Sequence, residues 1–229
     1  MNIRTKAISL LEKQITRNAQ VLESRRWNAG TFYEIDLHFP NADLKWDKGV
    51  HHINCRVAPL TFREYTIAQW DADTRTCTLF IDASHNGQGT EWVKSLRRGD
   101  TIVYLNVECR NPQALPQQRC LCLGDQTTIG HFLALQQLIG NITDMQGAIL
   151  VETDEQCREF KAYFPSLPLQ VLPAEQGSVH TLLTWLQDCS ANYDTVHLAG
   201  NTAMVVALRK ELKAFGYHGR QIRSHTFWR

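Results

Sequence analysis

The 229-residue chain has almost no net charge, since 24 Lys and Arg stand against 23 Asp and Glu and leave +1. With so little field to attract a polyanion, nucleic acid is not an expected partner. Long apolar runs are missing as well. The opening MNIRTKAISLLEKQITR is broken by Lys6, Glu12 and Lys13, and nothing approaches the roughly 20 apolar residues that a bilayer span requires. No secretion signal and no membrane span are expected. Cysteine patterning is equally poor: the seven at 55, 77, 109, 120, 122, 157 and 189 are odd in number and contain no CxxC pair. That excludes a metal finger and a disulfide framework and fits reduced thiols in the cytoplasm. Glycine (13) and proline (7) are sparse beside 43% hydrophobic residues, a composition of compact globular chains rather than disordered ones.

What is present divides in two. Thr31 to Phe39 alternates, with Tyr33, Ile35, Leu37 and Phe39 on one side and Glu34, Asp36 and His38 on the other, as a strand buried on one face must. The period recurs in Ile53, Cys55 and Val57 and again in Cys77, Leu79, Ile81 and Ala83, with a turn at Asp71-Ala72-Asp73 before the latter. Such spacing predicts an antiparallel barrel or sandwich, preceded by a short helix carrying Ile8, Leu11 and Ile15 at helical spacing. Beyond about residue 117 the pattern changes. Cys120–Leu123, Ala148–Val151, Leu169–Leu172 and Val196–Ala199 are apolar on both faces, and amphipathic stretches around Ile129–Leu133, Val179–Leu186 and Met204–Phe215 lie between them. Strand and helix in alternation predict a doubly wound parallel sheet of the nucleotide-binding kind. The boundary is expected in Asn111–Gln118, which holds Pro112 and Pro116, giving domains 1–116 and 117–229.

Three segments offer chemistry. In Arg63-Glu64-Tyr65-Thr66 the strand period puts Arg63 and Tyr65 on one face and Thr66 on the other. A guanidinium there pairs with pyrophosphate, a phenol ring offers a surface to a flat ring system, and a hydroxyl can meet a ring nitrogen; the bland reading is a half-buried strand with a solvated Arg. The second segment runs from the strand end Asp82-Ala83 through Asn86-Gly87-Gln88-Gly89-Thr90-Glu91-Trp92. Two glycines before a helix let the backbone approach a ligand, and the first-turn amides with Thr90 attract phosphate; an ordinary capped helix is the alternative. The third is Leu123-Gly124-Asp125-Gln126-Thr127-Thr128, at the carboxyl end of the first parallel strand, where ligands of open sheets bind. It is not GxGxxG, and Asp125 repels phosphate unless it caps the helix. Ala199-Gly200-Asn201-Thr202 is its counterpart on a later strand.

FREYT at Phe62–Thr66, GQGTEW at Gly87–Trp92 with the following RRGD, LGDQTTIG at Leu123–Gly130 and the terminal HLAGNTAMVVALRKEL…FWR together resemble the siderophore-interacting proteins. These form the ferric-siderophore reductase branch of the ferredoxin-reductase-like flavoproteins. The resemblance implies an FAD-binding barrel in which Arg63 meets the pyrophosphate, Tyr65 lies against the isoalloxazine, Thr66 sits near its reactive nitrogen, and Gly89 and Thr90 hold phosphate. It implies a ferric siderophore as substrate and electrons from NADH or NADPH; ferredoxin is the alternative donor because the GDQTTIG turn lacks a phosphate-binding glycine series, and a monomer is expected. Asp82, Ala83, Gly87, Trp92, Asp125, Thr127, Thr128 and Trp228 complete the expected cofactor contacts, with no metal ligands. A non-catalytic flavin- or siderophore-binding module stays open beside the enzyme. His51-His52 and the pair Cys120 and Cys122 are read as core residues, and Arg97-Arg98 and Arg209-Lys210 as solvated charge.

Overall fold

A computed structural model of the chain describes residues 16–27, 30–42, 44–46, 49–110, 119–139, 144–174, 179–189 and 192–228. The expected amino-terminal helix at Ile8–Ile15 and the expected boundary at 111–118 lie outside them. The chain divides into two compact units, Met1–Arg110 and Asn111–Arg229.

Alternation builds the first unit. Strands β1 (Arg17–Arg26), β2 (Phe32–His38), β3 (Val50–Ala58), β4 (Thr61–Asp71), β5 (Thr76–Asp82) and β6 (Thr101–Arg110) close into an antiparallel barrel in the order β1-β2-β5-β4-β3-β6. The choice left between sandwich and barrel is thereby settled for the barrel. Ile35, Leu37, Ile53, Ile67 and Leu79 point inward and are fully buried, each worth about 1.5–3 kcal/mol over exposure. Phe39 packs edge-on against Tyr104 at 5.2 Å. Helix α1 (Gln88–Ser95) lies between β5 and β6 and buries Thr90 and Val93. Strand β1 escapes the sequence pattern because its register shifts between Val21 and Glu23. Before the bulge Ala19 and Val21 are buried, and past it Ser24 rather than Glu23 stands opposite buried Ile35, which breaks the period that would have announced the strand.

The second unit is a parallel sheet in the order β11-β10-β7-β8-β9. Its strands are β7 (Cys120–Asp125), β8 (Met145–Val151), β9 (Gln170–Pro173), β10 (Thr195–Asn201) and β11 (Ile222–Trp228), joined through α2 (Ile129–Ile139), α3 (Asp154–Tyr163), α4 (Val179–Asp188) and α5 (Thr202–Ala214). Cys120 to Leu123 are all buried, as a strand covered on both faces requires. Leu121 and Leu123 share one core with Leu182 and Leu186 of α4 and Leu208 and Leu212 of α5. Helix α3 has little apolar content, so no hydrophobic period announces it. It is started by a capping box in which the Thr153 hydroxyl accepts from the Gln156 amide and the Gln156 side chain accepts from the Thr153 amide, a T-x-x-Q signal present in the sequence. The architecture, an antiparallel barrel followed by a parallel sheet with helices, is the expected fold class. Among the described residues no helix is long and apolar enough to cross a membrane.

Candidate functional site

Strand β4 pairs with β3 so that Tyr65 faces Ile53 and Arg63 faces Cys55. Since directly opposed residues share a face and both β3 partners belong to the barrel core, Arg63 and Tyr65 lie on the core-side row. The row rises out of the core as it goes: Ile67 is buried, Tyr65 half-buried and Arg63 exposed. Glu64 and Thr66 take the other face, as the strand period predicts. There the Thr66 hydroxyl sits 3.4 Å from His52 Nδ1, and a Glu64 carboxylate oxygen lies 3.6 Å from the same nitrogen.

The turn after β5 delivers α1 to this row. Asp82 accepts hydrogen bonds from the Ser84 amide at 3.0 Å and the Ser84 hydroxyl at 2.9 Å, while Ala83 is buried in the barrel core and donates its amide to the Thr31 carbonyl. The Thr90 hydroxyl donates to the His85 carbonyl. Gly87 is the N-cap of α1 and supplies no side chain to it, so the first-turn amides have no side-chain acceptor at the cap and none inside the helix. Gly89, in that turn, lies against β4: a Cβ there would come within 2.9 Å of Tyr65 Oη and 3.7 Å of Arg63 Cγ. One turn further on, Trp92 stacks on Tyr65 with ring centroids 5.5 Å apart and planes 17° apart. The fold thus brings Arg63, Tyr65, Gly89 and Trp92 into one corner of the first unit. Burial pushes the Tyr65 phenol well above the usual range, with Cys55 adding to the shift and Arg63 partly opposing it, so the ring stays neutral.

The second group of expected contacts has a different character. Asp125 caps the 3-10 turn Gln126–Thr128 by accepting from the Thr127 amide at 3.0 Å and from the Thr127 hydroxyl. Its other carboxylate oxygen accepts from the Asn201 amide at 2.7 Å. Thr128 is fully buried and donates its hydroxyl to the Asp125 carbonyl at 2.6 Å. Asn201 caps α5 in turn, accepting from the amides of Ala203 and Met204. These polar groups are therefore engaged with one another at the carboxyl ends of β7 and β10, and Asp125 caps the turn that starts there. Trp228 reaches the same end: its carbonyl accepts from the Thr202 hydroxyl at 2.9 Å, and it pairs with Asn201 across β10 and β11.

Residues set aside from the sequence behave mostly as read. His51 and His52 are buried in the barrel wall, His51 stacked on Trp46 at 5.3 Å. Cys120 and Cys122 are buried with sulfurs 3.8 Å apart. A hydrogen bond from Cys122, helped by His197 and opposed by burial, holds the Cys120 thiol below its usual range, whereas burial pushes Cys122 up. Arg209 departs from expectation. It is not solvated charge but donates to the Ile222 carbonyl at 3.3 Å and the Ser224 hydroxyl at 2.9 Å, tying α5 to β11. The stapling role of Asp125 was missed, although Gly200 was a signal: a Cβ there would collide with the Asp125 carboxylate.

No family model matches the chain, and no curated protein matches it in sequence. Solved structures do match in shape. The siderophore-interacting protein of Acinetobacter baumannii superimposes with a TM-score of 0.78 at 15% identity, over 93% of this chain and 90% of that one. The siderophore-interacting protein of Aeromonas hydrophila gives 0.76 at 16% identity, over 93% and 91%. A ferredoxin NADP+ reductase of Neisseria gonorrhoeae, solved with bound FAD and NADP, gives 0.64 at 13% identity, over 93% and 98%. The barrel and the parallel sheet together are the fold of siderophore-interacting proteins and of ferredoxin reductases, and this chain has that fold.

Proposed function

We propose that the chain is an FAD-dependent oxidoreductase that reduces a ferric siderophore with electrons from NADH or NADPH. The observation that carries the reading is the corner at Gly89, where a helix start without a side-chain cap lies against an exposed arginine and a half-buried tyrosine. Those residues fit FAD. The guanidinium of Arg63 and the amides of Gly89 and Thr90 would hold the diphosphate, because a planar fork and an open helix start both suit phosphate oxygens. A side chain at position 89 would fill the space the phosphates need. Tyr65, kept neutral by its burial and braced by Trp92, would offer its ring to the flavin, and Thr66 would take the edge of the ring system. A bound flavin supplies the conversion from hydride to single electrons that turns Fe(III) into Fe(II), the weaker partner of hard oxygen donors. No protein acid, base or nucleophile is needed for that chemistry; the chain positions and shields.

The test is optical. Protein loaded with FAD should be yellow, bleach on anaerobic mixing with NADH or NADPH, and then produce ferrous-chelate colour from a ferric siderophore. Protein that stays colourless with excess FAD would remove the reading.

A second reading has its own observation. Asp125 places a carboxylate at the strand ends where a nicotinamide donor is expected; Thr127 and the Asn201 amide donate to it, and the Thr128 hydroxyl donates to the Asp125 carbonyl. That arrangement favours a flavin module reduced by ferredoxin, or one that binds without turning over. Reduction by ferredoxin with no response to either nicotinamide would select it.

A further inference from the structure

Arg25 and Arg26, neighbours on β1, point to opposite faces and meet opposite fates. Arg25 is held by Glu34 at 2.7 Å and Asp36 at 2.6 Å. Arg26 instead lines a cavity of about 640 Å³ in the first unit, together with Lys94, Arg97 and Arg98 from the end of α1 and the segment after it. Four exposed cations line that wall with one carboxylate, Glu23, and a second carboxylate, Asp100, accepts from the Arg97 amide beside it at 2.8 Å, so cations outnumber carboxylates there in a chain whose total is +1. Among the described residues the ion pair on the wall is Arg98 with Glu23, long at 3.9 Å and exposed, so it neutralises little.

Two details make this more than a solvated face. The carboxyl end of a helix repels anions through its carbonyls, but here Arg97 Nη1 donates to the carbonyls of Lys94 and Leu96, both at 2.8 Å, covering that end with positive charge. Arg26 is pinned by donating Nε to the Gly30 carbonyl at 3.1 Å, which lowers the entropy lost on meeting a ligand. Tyr33 and Leu96 provide an apolar floor. The volume falls within the roughly 300–1,000 Å³ of small-molecule sites, and roughly 10 Å of α1 separates it from Gly89.

We propose that this cavity binds a small phosphate-bearing polyanion of nucleotide size, at a site distinct from the Arg63–Gly89 corner. Arginine forks suit phosphate oxygens better than a lone charge does, and cations in excess of carboxylates suit the multiple negative charge of a nucleoside diphosphate.

The proposal does not rest on the flavin reading, and its test keeps the two apart. ADP is titrated calorimetrically at low salt into protein saturated with FAD. Saturable binding is expected that weakens as salt rises and is displaced by pyrophosphate. It should fall roughly tenfold or more in the R97Q/R98Q variant, the loss of charge-assisted bonds, and stay unchanged in R63A. Because Arg97 also covers the helix end, R26Q/K94Q serves as a second variant, with circular dichroism confirming the fold. Absence of saturable ADP binding, binding that both double variants leave intact, or binding abolished by R63A would each overturn the proposal.

Discussion

Gly89 and Tyr65 are held so close that a methyl group at position 89 would come within 2.9 Å of the phenol oxygen. Gly89→Ala must therefore displace the Tyr65 ring, which Trp92 braces, or lift the first turn of α1. Alanine also raises helix propensity by about 1 kcal/mol, so the melting temperature should change little while FAD affinity falls. Adding Tyr65→Phe removes the colliding oxygen and should restore part of the affinity. Flavin titration of the two variants checks this; G89A binding FAD like the parent would contradict it.

Arg63→Ala should weaken FAD retention by about 1.5–3 kcal/mol, the worth of a charge-assisted pair, or roughly ten- to a hundredfold. Arg63→Lys keeps the charge but not the fork and should fall between. Fluorescence titration at two salt concentrations separates charge from geometry, and parent-like affinity in R63A would withdraw Arg63 from the diphosphate.

Asp125→Asn should cost about 1–2 kcal/mol of folding stability, since an amide cannot accept at both ends and one part-buried donor loses its partner. The Asn201 amide and the Thr127 donors are the groups at stake. Gly200→Ala should cost more, because its φ of +116° is strained for alanine and the added Cβ meets the same carboxylate. Urea melts measure both, and an unchanged midpoint in D125N would show that the two strand ends are not stapled.

Stability should also depend on pH through Cys120. Its thiol is held well below its ordinary value in the folded protein, chiefly by the Cys122 hydrogen bond. Between the folded and the ordinary value the unfolded chain binds more protons than the folded one, so stability rises with pH and its contribution is lost as pH falls towards the folded value. Cys120→Ala and Cys122→Ala should both flatten that slope. Urea midpoints at several pH values inside the window decide it, and a slope that survives both changes would refute the assignment.

The barrel was legible where alternation was unbroken, as at Tyr33 to Phe39 and Cys77 to Ala83, because each inward side chain is buried in a single core. It was illegible at β1, where the bulge after Val21 shifts the period, and at α3, whose start lies in a polar capping box rather than in an apolar stripe. The corner at Gly89 was half visible. Arg63, Tyr65 and the glycines could be named, but that β4 and α1 meet through Tyr65 and Gly89 is a fact of barrel closure. The Asp125 staple reads in sequence as an acidic residue near a glycine; only pairing of β7 with β10 brings it to Asn201.

Closing the barrel makes its first strand depend on its last. Arg17 pairs with Tyr104, so during synthesis β1 leaves the ribosome long before its second partner exists. At roughly 5–20 residues per second, the nascent strand waits several seconds with one side unmatched.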